Sequence, residues 1–138
     1  MYTYTMNMFI YLLHLVCYDL WFYLAHICSH NINLYKYHKS HHLTMYNDLT
    51  YNVAFNGHII EYPIQTVGIF IPNIVIKFNF QAALFIYIFV TIRTYLHHDH
   101  RCTWLLGNHH LLHHKHPKYN FGEYWIDSIF GTLYVPNK

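Results

Sequence analysis

The sequence predicts an all-α fold: an integral membrane helical domain carrying a cytosol-facing, histidine-rich helical cap. Three observations predict it. Hydrophobic residues make up 54% of the 138 positions and charged residues only 10%, against about 25% charged in an average soluble domain. Aromatic residues reach 20%, with 15 Tyr, 10 Phe and 3 Trp, a composition suited to membrane interfaces, where one end of an amphipathic ring is wet and the other dry. The 15 His gather into polar stretches beside the apolar runs. The length predicts one domain over residues 1–138. Low charge with high hydrophobicity excludes a disordered chain. A net charge of only +2 excludes a nucleic-acid partner held by a basic patch.

The first element is the apolar run at residues 8–28, MFIYLLHLVCYDLWFYLAHIC. It is long enough to cross a bilayer core as a helix, which takes roughly 20 residues. No charged n-region or small-residue cleavage site accompanies it, so no signal peptide is evident. Its polar members are His14, Asp19 and His26, and ionisable groups inside a span default to a functional role. Residues 29–50 form a polar, basic, His-rich stretch. Residues 47–61 read as loop, with Gly57 and Pro63 as breakers.

A second apolar region covers residues 64–96. It is too short for two crossings, which need about 40 residues, so a hairpin that dips in and returns fits best. Pro72 interrupts its first half and the second half reads as a cleaner helix. The hairpin brings both His-rich stretches, the second at residues 97–116, to one membrane face. Lys36, Lys39, Arg93, Arg101, Lys115 and Lys118 flank them, which marks that face as cytoplasmic. The aromatic segment 120–134 is expected to cap the site at the membrane interface. Gly122 and Gly131 would form turns at its ends, with Phe121, Trp125, Ile129 and Phe130 as its apolar stripe. Cys17, Cys28 and Cys102 are odd in number and form no CxxC. They read as small buried hydrophobes rather than a disulfide framework or a zinc knuckle.

The histidines fall into four ligand-like sets. Asp19, Tyr23, His26 and His30 are spaced 4, 3 and 4 apart, one stripe on a helix, and an i, i+4 His pair can meet one metal. His38, His41 and His42 form an HxxHH, in which adjacent His41 and His42 can diverge toward two metals. The third set is His97, His98 and His100, flanking Asp99. The fourth contains a second HxxHH, His110, His113 and His114, preceded by His109. Chance places roughly 0.2 HxxHH patterns in such a chain; two are present.

A tetrahedral zinc site closes with four ligands, so this many imidazoles exceed one zinc. Two metals with four or five His each and open positions suit iron and oxygen activation. Metal-bound imidazoles need acceptors for their other N–H, and Asp19, Glu61, Asp99 and Asp127 are the candidates. His14 and His116 are expected to lie outside the ligand set.

These motifs resemble those of the fatty acid hydroxylase/sterol desaturase superfamily of membrane di-iron enzymes. The matching segments are Asp19-x3-Tyr23-x2-His26-x3-His30; His38-Lys-Ser-His41-His42; Ala54-Phe-Asn-Gly-His58-Ile-Ile-Glu61; His98-Asp99; His110-Leu-Leu-His113-His114; Asn120-Phe121-Gly122; and Trp125-Ile-Asp127 followed by Phe130-Gly131-Thr132. Members of the superfamily usually carry one or two further N-terminal membrane helices, and the expectation here is a domain without them. Ile59 stands where its pattern has Pro, and His97, His98 and His100 compete for one ligand position.

The resemblance implies two iron ions on His26, His30, His38, His41, His42, His58, His98, His110, His113 and His114, with zinc able to substitute in a purified sample. It implies O2-dependent hydroxylation or desaturation of a lipid, namely a sterol, fatty acyl or sphingolipid-type substrate entering from the bilayer. Electrons would come from a separate cytochrome b5-type or ferredoxin partner, and a eukaryotic source would place the protein in the endoplasmic reticulum membrane. The competing class is a non-enzymatic His-rich metal-binding membrane protein or an inactive truncated relative.

Overall fold

The computed structural model describes residues 2–136, with side chains from Met8 onward. It is all-helical, with no strand among the described residues. The long helices are α1 (Tyr2–Ser29) and α4 (Phe80–His97). Between them lie α2 (Tyr35–His38), α3 (Glu61–Thr66) and a 3-10 helix at Val67–Ile74. After α4 come α5 (Thr103–Leu106), α6 (His109–Lys115) and α7 (Tyr124–Phe130). Met8–Ser29 and Phe80–His97 are both long and apolar enough to cross a membrane. Met8, Phe9, Leu12, Val16, Leu20 and Leu24 lie exposed along α1, an apolar surface of the kind that suits lipid tails.

The hairpin expected over residues 64–96 is present. Its first arm is α3 continued by the 3-10 helix, lying along α1, and its second arm is α4. Tyr18 of α1, Ile69 of the 3-10 helix and Ala83, Ile86 and Val90 of α4 form the buried core between these elements. Small residues let the backbones approach. A Cβ on Gly68 would stand 2.7 Å from Trp21 Cβ, so only glycine fits there. Helix α4 begins at Asn79, whose side chain accepts from the Ala82 N–H at 2.9 Å, a cap that satisfies one of the free donors of the first turn.

The first arm poses a hydrogen-bonding problem that α1 solves. Pro72 has no N–H, so in a 3-10 helix, where each N–H reaches three residues back, Ile69 O loses its partner. In a membrane-facing setting that carbonyl cannot turn to water. His14 of α1, fully buried, donates from Nδ1 to Ile69 O at 2.6 Å. One level along, Trp21 Nε1 donates to Ile64 O at 2.7 Å. The polar residue in the middle of the first span is therefore a backbone partner for the broken arm.

Asp19 and Arg93 join the two long helices. Arg93 donates to both Asp19 carboxylate oxygens, and its Nε lies 3.2 Å from Glu123. Charges in a span persist when paired in this way. Arg93 was expected as a marker of the cytoplasmic face. Instead it points inward, because two acidic groups on packed elements are closer partners than headgroups.

The C-terminal segment also departs from expectation. The residues buried between α7 and α1 are Phe121 and Ile126, packed on Tyr23, while Trp125, Ile129 and Phe130 are exposed, Phe130 still stacking on Tyr23 at 5.1 Å. The helix begins after residue 121, so Phe121 does not share its periodicity. Gly131 does close α7 with φ +71°. Gly122 serves a different purpose, since a Cβ there would crowd the Tyr23 side chain at 3.1 Å. The positive φ belongs to Asn120, at +59°.

Ala at His14 should leave Ile69 O buried without a donor. We expect a loss of about 1–3 kcal/mol, read by thermal unfolding in detergent, with metal content per folded molecule unchanged. Parental stability in that variant would remove the backbone-partner role.

Candidate metal centre

Nine histidines from four separate segments converge into two groups. His26, His30, His38, His42 and His113 form one, and His41, His98, His110 and His114 the other. Within each group the ligand nitrogens lie within 4.8 Å of one another. Helix α1 delivers His26 and His30 from its last turns, α2 and the 3-10 turn at His41–Leu43 deliver the first HxxHH, the end of α4 delivers His98, and α6 delivers the second HxxHH. Adjacent His41 and His42 diverge into different groups, and so do His113 and His114. The groups share a wall, with the His42 and His114 rings 4.8 Å apart and the His38 and His41 rings 5.2 Å apart.

The hydrogen bonds assign the protons. His26 Nδ1 lies 2.6 Å from Phe121 O, His98 Nδ1 2.7 Å from Thr94 O and His113 Nδ1 2.7 Å from Tyr119 O. A carbonyl can only accept, so each Nδ1 carries the hydrogen and each Nε2 presents a lone pair. His38 Nδ1 meets Glu61 Oε1 at 2.5 Å. The Nε2 atoms nevertheless lie close together: His113 to His42 at 3.2 Å, His98 to His41 at 3.2 Å, His110 to His98 at 3.1 Å, and His26 to His38 at 3.1 Å, the last pair bare on both sides. Lone pairs of neutral imidazoles cannot bond one another, and a cation between them turns repulsion into ligation. His114 adds a second sign: both its ring nitrogens are buried with no hydrogen-bond partner among the described residues. The donor set is all nitrogen and numbers five and four, which fits two borderline transition-metal ions.

Burial keeps these rings neutral. It pushes His30, His42 and His98 down to about 4 and lowers His38, His41, His110, His113 and His114, with the neighbouring imidazoles adding to the effect on all but His30. Neutral imidazole is the form that binds metal. Burial pushes the Glu61 carboxyl the other way, up to about 7.

The remaining predicted residues fall elsewhere. His58 is exposed, meets Tyr37 edge to face at 5.0 Å between ring centres and belongs to neither group. Of His97, His98 and His100, at and just beyond the end of α4, His98 enters a group. His97 stands 3.4 Å from Glu123, and His100 donates to Tyr46 O at 2.7 Å. Among the four acidic candidates, Glu61 touches a grouped imidazole. Asp19 is taken by Arg93, and Asp99 accepts from Arg101 at 2.6 Å and from the Tyr51 N–H at 3.3 Å. Asp127, fully buried, accepts from His109 Nε2 at 2.9 Å, and His109 is in neither group. Most acceptors for the grouped rings are backbone carbonyls, which residue identity does not reveal. Arg93, Glu123 and His109 gained their roles only through folding, although a lone arginine in an apolar run was a signal that it must have an acidic partner.

Among the cavities beside the groups, two meet at shared residues. A small one of about 40 Å³ lies where the groups meet and is lined by His26, His38, His41, His98 and His110 together with Phe22 and Phe55. A larger cleft of about 460 Å³ runs between α1 and α3, with Trp21, Leu24, Ile60 and Ile64 on its walls. The two share His38, Glu61 and Gln65.

The fatty acid hydroxylase family model matches residues 11–132. The chain belongs to the fatty acid hydroxylase family. This family member is similar to the Delta(7)-sterol 5(6)-desaturase ERG3B of Gibberella zeae, at 29% identity over 136 residues covering 91% of this chain and 42% of that protein. It is also similar to the Arabidopsis thaliana protein named "Putative Delta(7)-sterol-C5(6)-desaturase 2", at 32% identity covering 90% of this chain and 48% of that protein. The chain thus spans about half the length of the curated relatives it matches. No solved structure matches it.

The protonation of this family member makes a prediction for the metal-free state. Its grouped histidines resist protonation when folded but titrate near 6.5 when unfolded. The unfolded chain therefore binds more protons below that value, and stability falls with pH. Denaturant midpoints of metal-free protein should be level above about pH 6.5 and drop steadily toward pH 4. A level profile from pH 7 to 5 would refute this.

Proposed function

We propose that the chain holds the di-iron centre of an O2-dependent lipid hydroxylase or desaturase, acting on a sterol, fatty acyl or sphingolipid-type substrate. The observation that carries this reading is the pair of adjacent all-imidazole groups, in which His26, His38, His98 and His113 give their Nδ1 hydrogens away and turn Nε2 inward. His26, His30, His38, His42 and His113 would hold one iron, and His41, His98, His110 and His114 the other. Bound iron supplies the redox chemistry that activates O2 toward an unactivated C–H bond.

The protein's part is positioning and exclusion. Phe121 O, Tyr119 O, Thr94 O and Glu61 hold four rings in the Nδ1–H tautomer, so the ligand nitrogens are set before a metal arrives. Phe22 and Phe55 wall the small cavity against bulk water. The apolar cleft between α1 and α3 has the volume of a lipid-sized ligand site and lies along the span, so an alkyl or sterol body can enter from the bilayer side without crossing water. Gln65, Glu61 and His38, shared by cleft and cavity, stand where the substrate would pass toward the irons.

Hydroxylation of one C–H bond by O2 consumes two electrons and two protons and yields water; desaturation consumes the same and yields two waters. The electrons must come from outside, which supports a cytochrome b5-type or ferredoxin partner. We place the centre on the cytosolic face, supported by the lysines around both His-rich stretches, in the endoplasmic reticulum membrane for a eukaryotic source. The chain is proposed to act as one domain over residues 1–138, with zinc as a substitute in purified samples.

Full-length chain expressed with an electron donor should retain iron and change the lipid profile of its host under O2. Ala at His41 or His114 should abolish iron retention at the second group and product formation. Ala at His58, exposed and outside both groups, or at His116, stacked on Tyr134, should preserve both. Full iron and product in His41→Ala would overturn the assignment. Metal retention in the parent without any lipid product would favour a non-enzymatic metal carrier.

A further inference from the structure

We propose that Asp127 is a positioning residue for the five-histidine group and acts on His26 through the peptide bond between Phe121 and Gly122. This rests on the metal-centre reading above. Asp127 Oδ2 accepts the Gly122 N–H at 2.9 Å, and the carbonyl at the other end of that same amide, Phe121 O, accepts the His26 Nδ1–H at 2.6 Å. Oδ1 accepts the Phe121 N–H at 2.9 Å, so the residue carrying the carbonyl is held from both sides. The result is a carboxylate–amide–imidazole chain in which the amide relays the charge. Drawing the amide hydrogen toward a carboxylate raises the negative charge on the amide oxygen, because the peptide is conjugated. A stronger acceptor pulls the Nδ1 hydrogen harder and makes Nε2 a better donor to a metal, the cooperative strengthening known for hydrogen-bond chains.

The surroundings show that Asp127 is held for this task. It is fully buried and receives four donors on two oxygens: the two backbone N–H groups, Thr132 Oγ1 at 2.6 Å and His109 Nε2 at 2.9 Å. A helix cap uses one or two backbone donors of its own first turn. Here the backbone donors come from the loop before the helix, and that loop faces the metal groups. Asn120 gives the loop its shape. Its φ of +59° turns the chain between Tyr119 and Phe121, and its side chain donates to His109 O and accepts from the Tyr134 N–H. Tyr119 O and Phe121 O therefore reach His113 and His26 from consecutive turns of one strap. Gly122 completes it, because a Cβ there would press on Tyr23 of α1 at 3.1 Å.

The test titrates metal-stripped full-length protein with Co2+ alone, scoring affinity per folded molecule. Asp127→Asn keeps the volume and removes the charge. It should weaken Co2+ binding by about 10–100-fold with the helical content intact. The same substitution placed on His26→Ala should cause no further loss, because the group it acts on is gone. Equal affinity in Asp127→Asn and parent, or additive losses in the double variant, would overturn the proposal in favour of a purely structural knot. Thr132→Val, which keeps the carboxylate but withdraws the hydroxyl pinning Oδ1, is the second probe should Asp127→Asn fail to fold. A smaller loss in the same direction, again absent on His26→Ala, supports the relay, and no change rejects it. A parent that binds no Co2+ would instead reject the metal centre itself, so the two failures are distinct.

Discussion

Nine neutral imidazoles pressed together in a buried space form the constraint around which this molecule is organised. The Nε2 atoms of His26, His38, His41, His42, His98, His110 and His113 face one another at close to 3 Å, and where both present lone pairs a cation turns the repulsion into ligation. On His26, His38, His98 and His113 the Nδ1 hydrogen is taken up elsewhere, which leaves Nε2 free for a metal. The acceptors come from the last turn of α4, the strap at residues 119–122 and Glu61 on α3. The architecture around the groups is largely the placement of those acceptors.

The membrane-facing part answers a related demand. Polar groups there cannot fall back on water, and several find a partner inside the protein. His14 and Trp21 satisfy the carbonyls of an arm broken by Pro72. Asp19 and Arg93 neutralise each other between the two long helices, and Glu123 extends that pair toward His97. These contacts fix the depth and rotation of α1 and α4, and thereby the points from which His26, His30 and His98 enter the groups. A substitution in the span can disturb the metal groups without touching them.

The short cap helices act as one unit with the strap. Helix α6 carries His110, His113 and His114 inward and starts with His109, which reaches back to Asp127 on α7. Helix α7 packs Ile126 and the preceding Phe121 against Tyr23, leaving Trp125 and Ile129 exposed beside the end of the span. The cap is thus anchored to α1 by apolar packing and to the metal groups by backbone carbonyls, with Asp127 at the junction.

The sequence by itself determined the helical membrane class, the hairpin over residues 64–96 and the four His sets, because these depend on periodicity, run length and local spacing. Divergence of His41 from His42 was also legible, since neighbours on one turn cannot point the same way. The partners of those residues were decided by tertiary structure. Asp19 met Arg93 rather than an imidazole, His58 stayed outside while His98 entered, and Asp127 found His109 and the strap, because these choices depend on distances between segments far apart in the chain. The acceptors of His26, His98 and His113 could not be read at all, since a backbone carbonyl is the same in every residue and only folding selects which one is near.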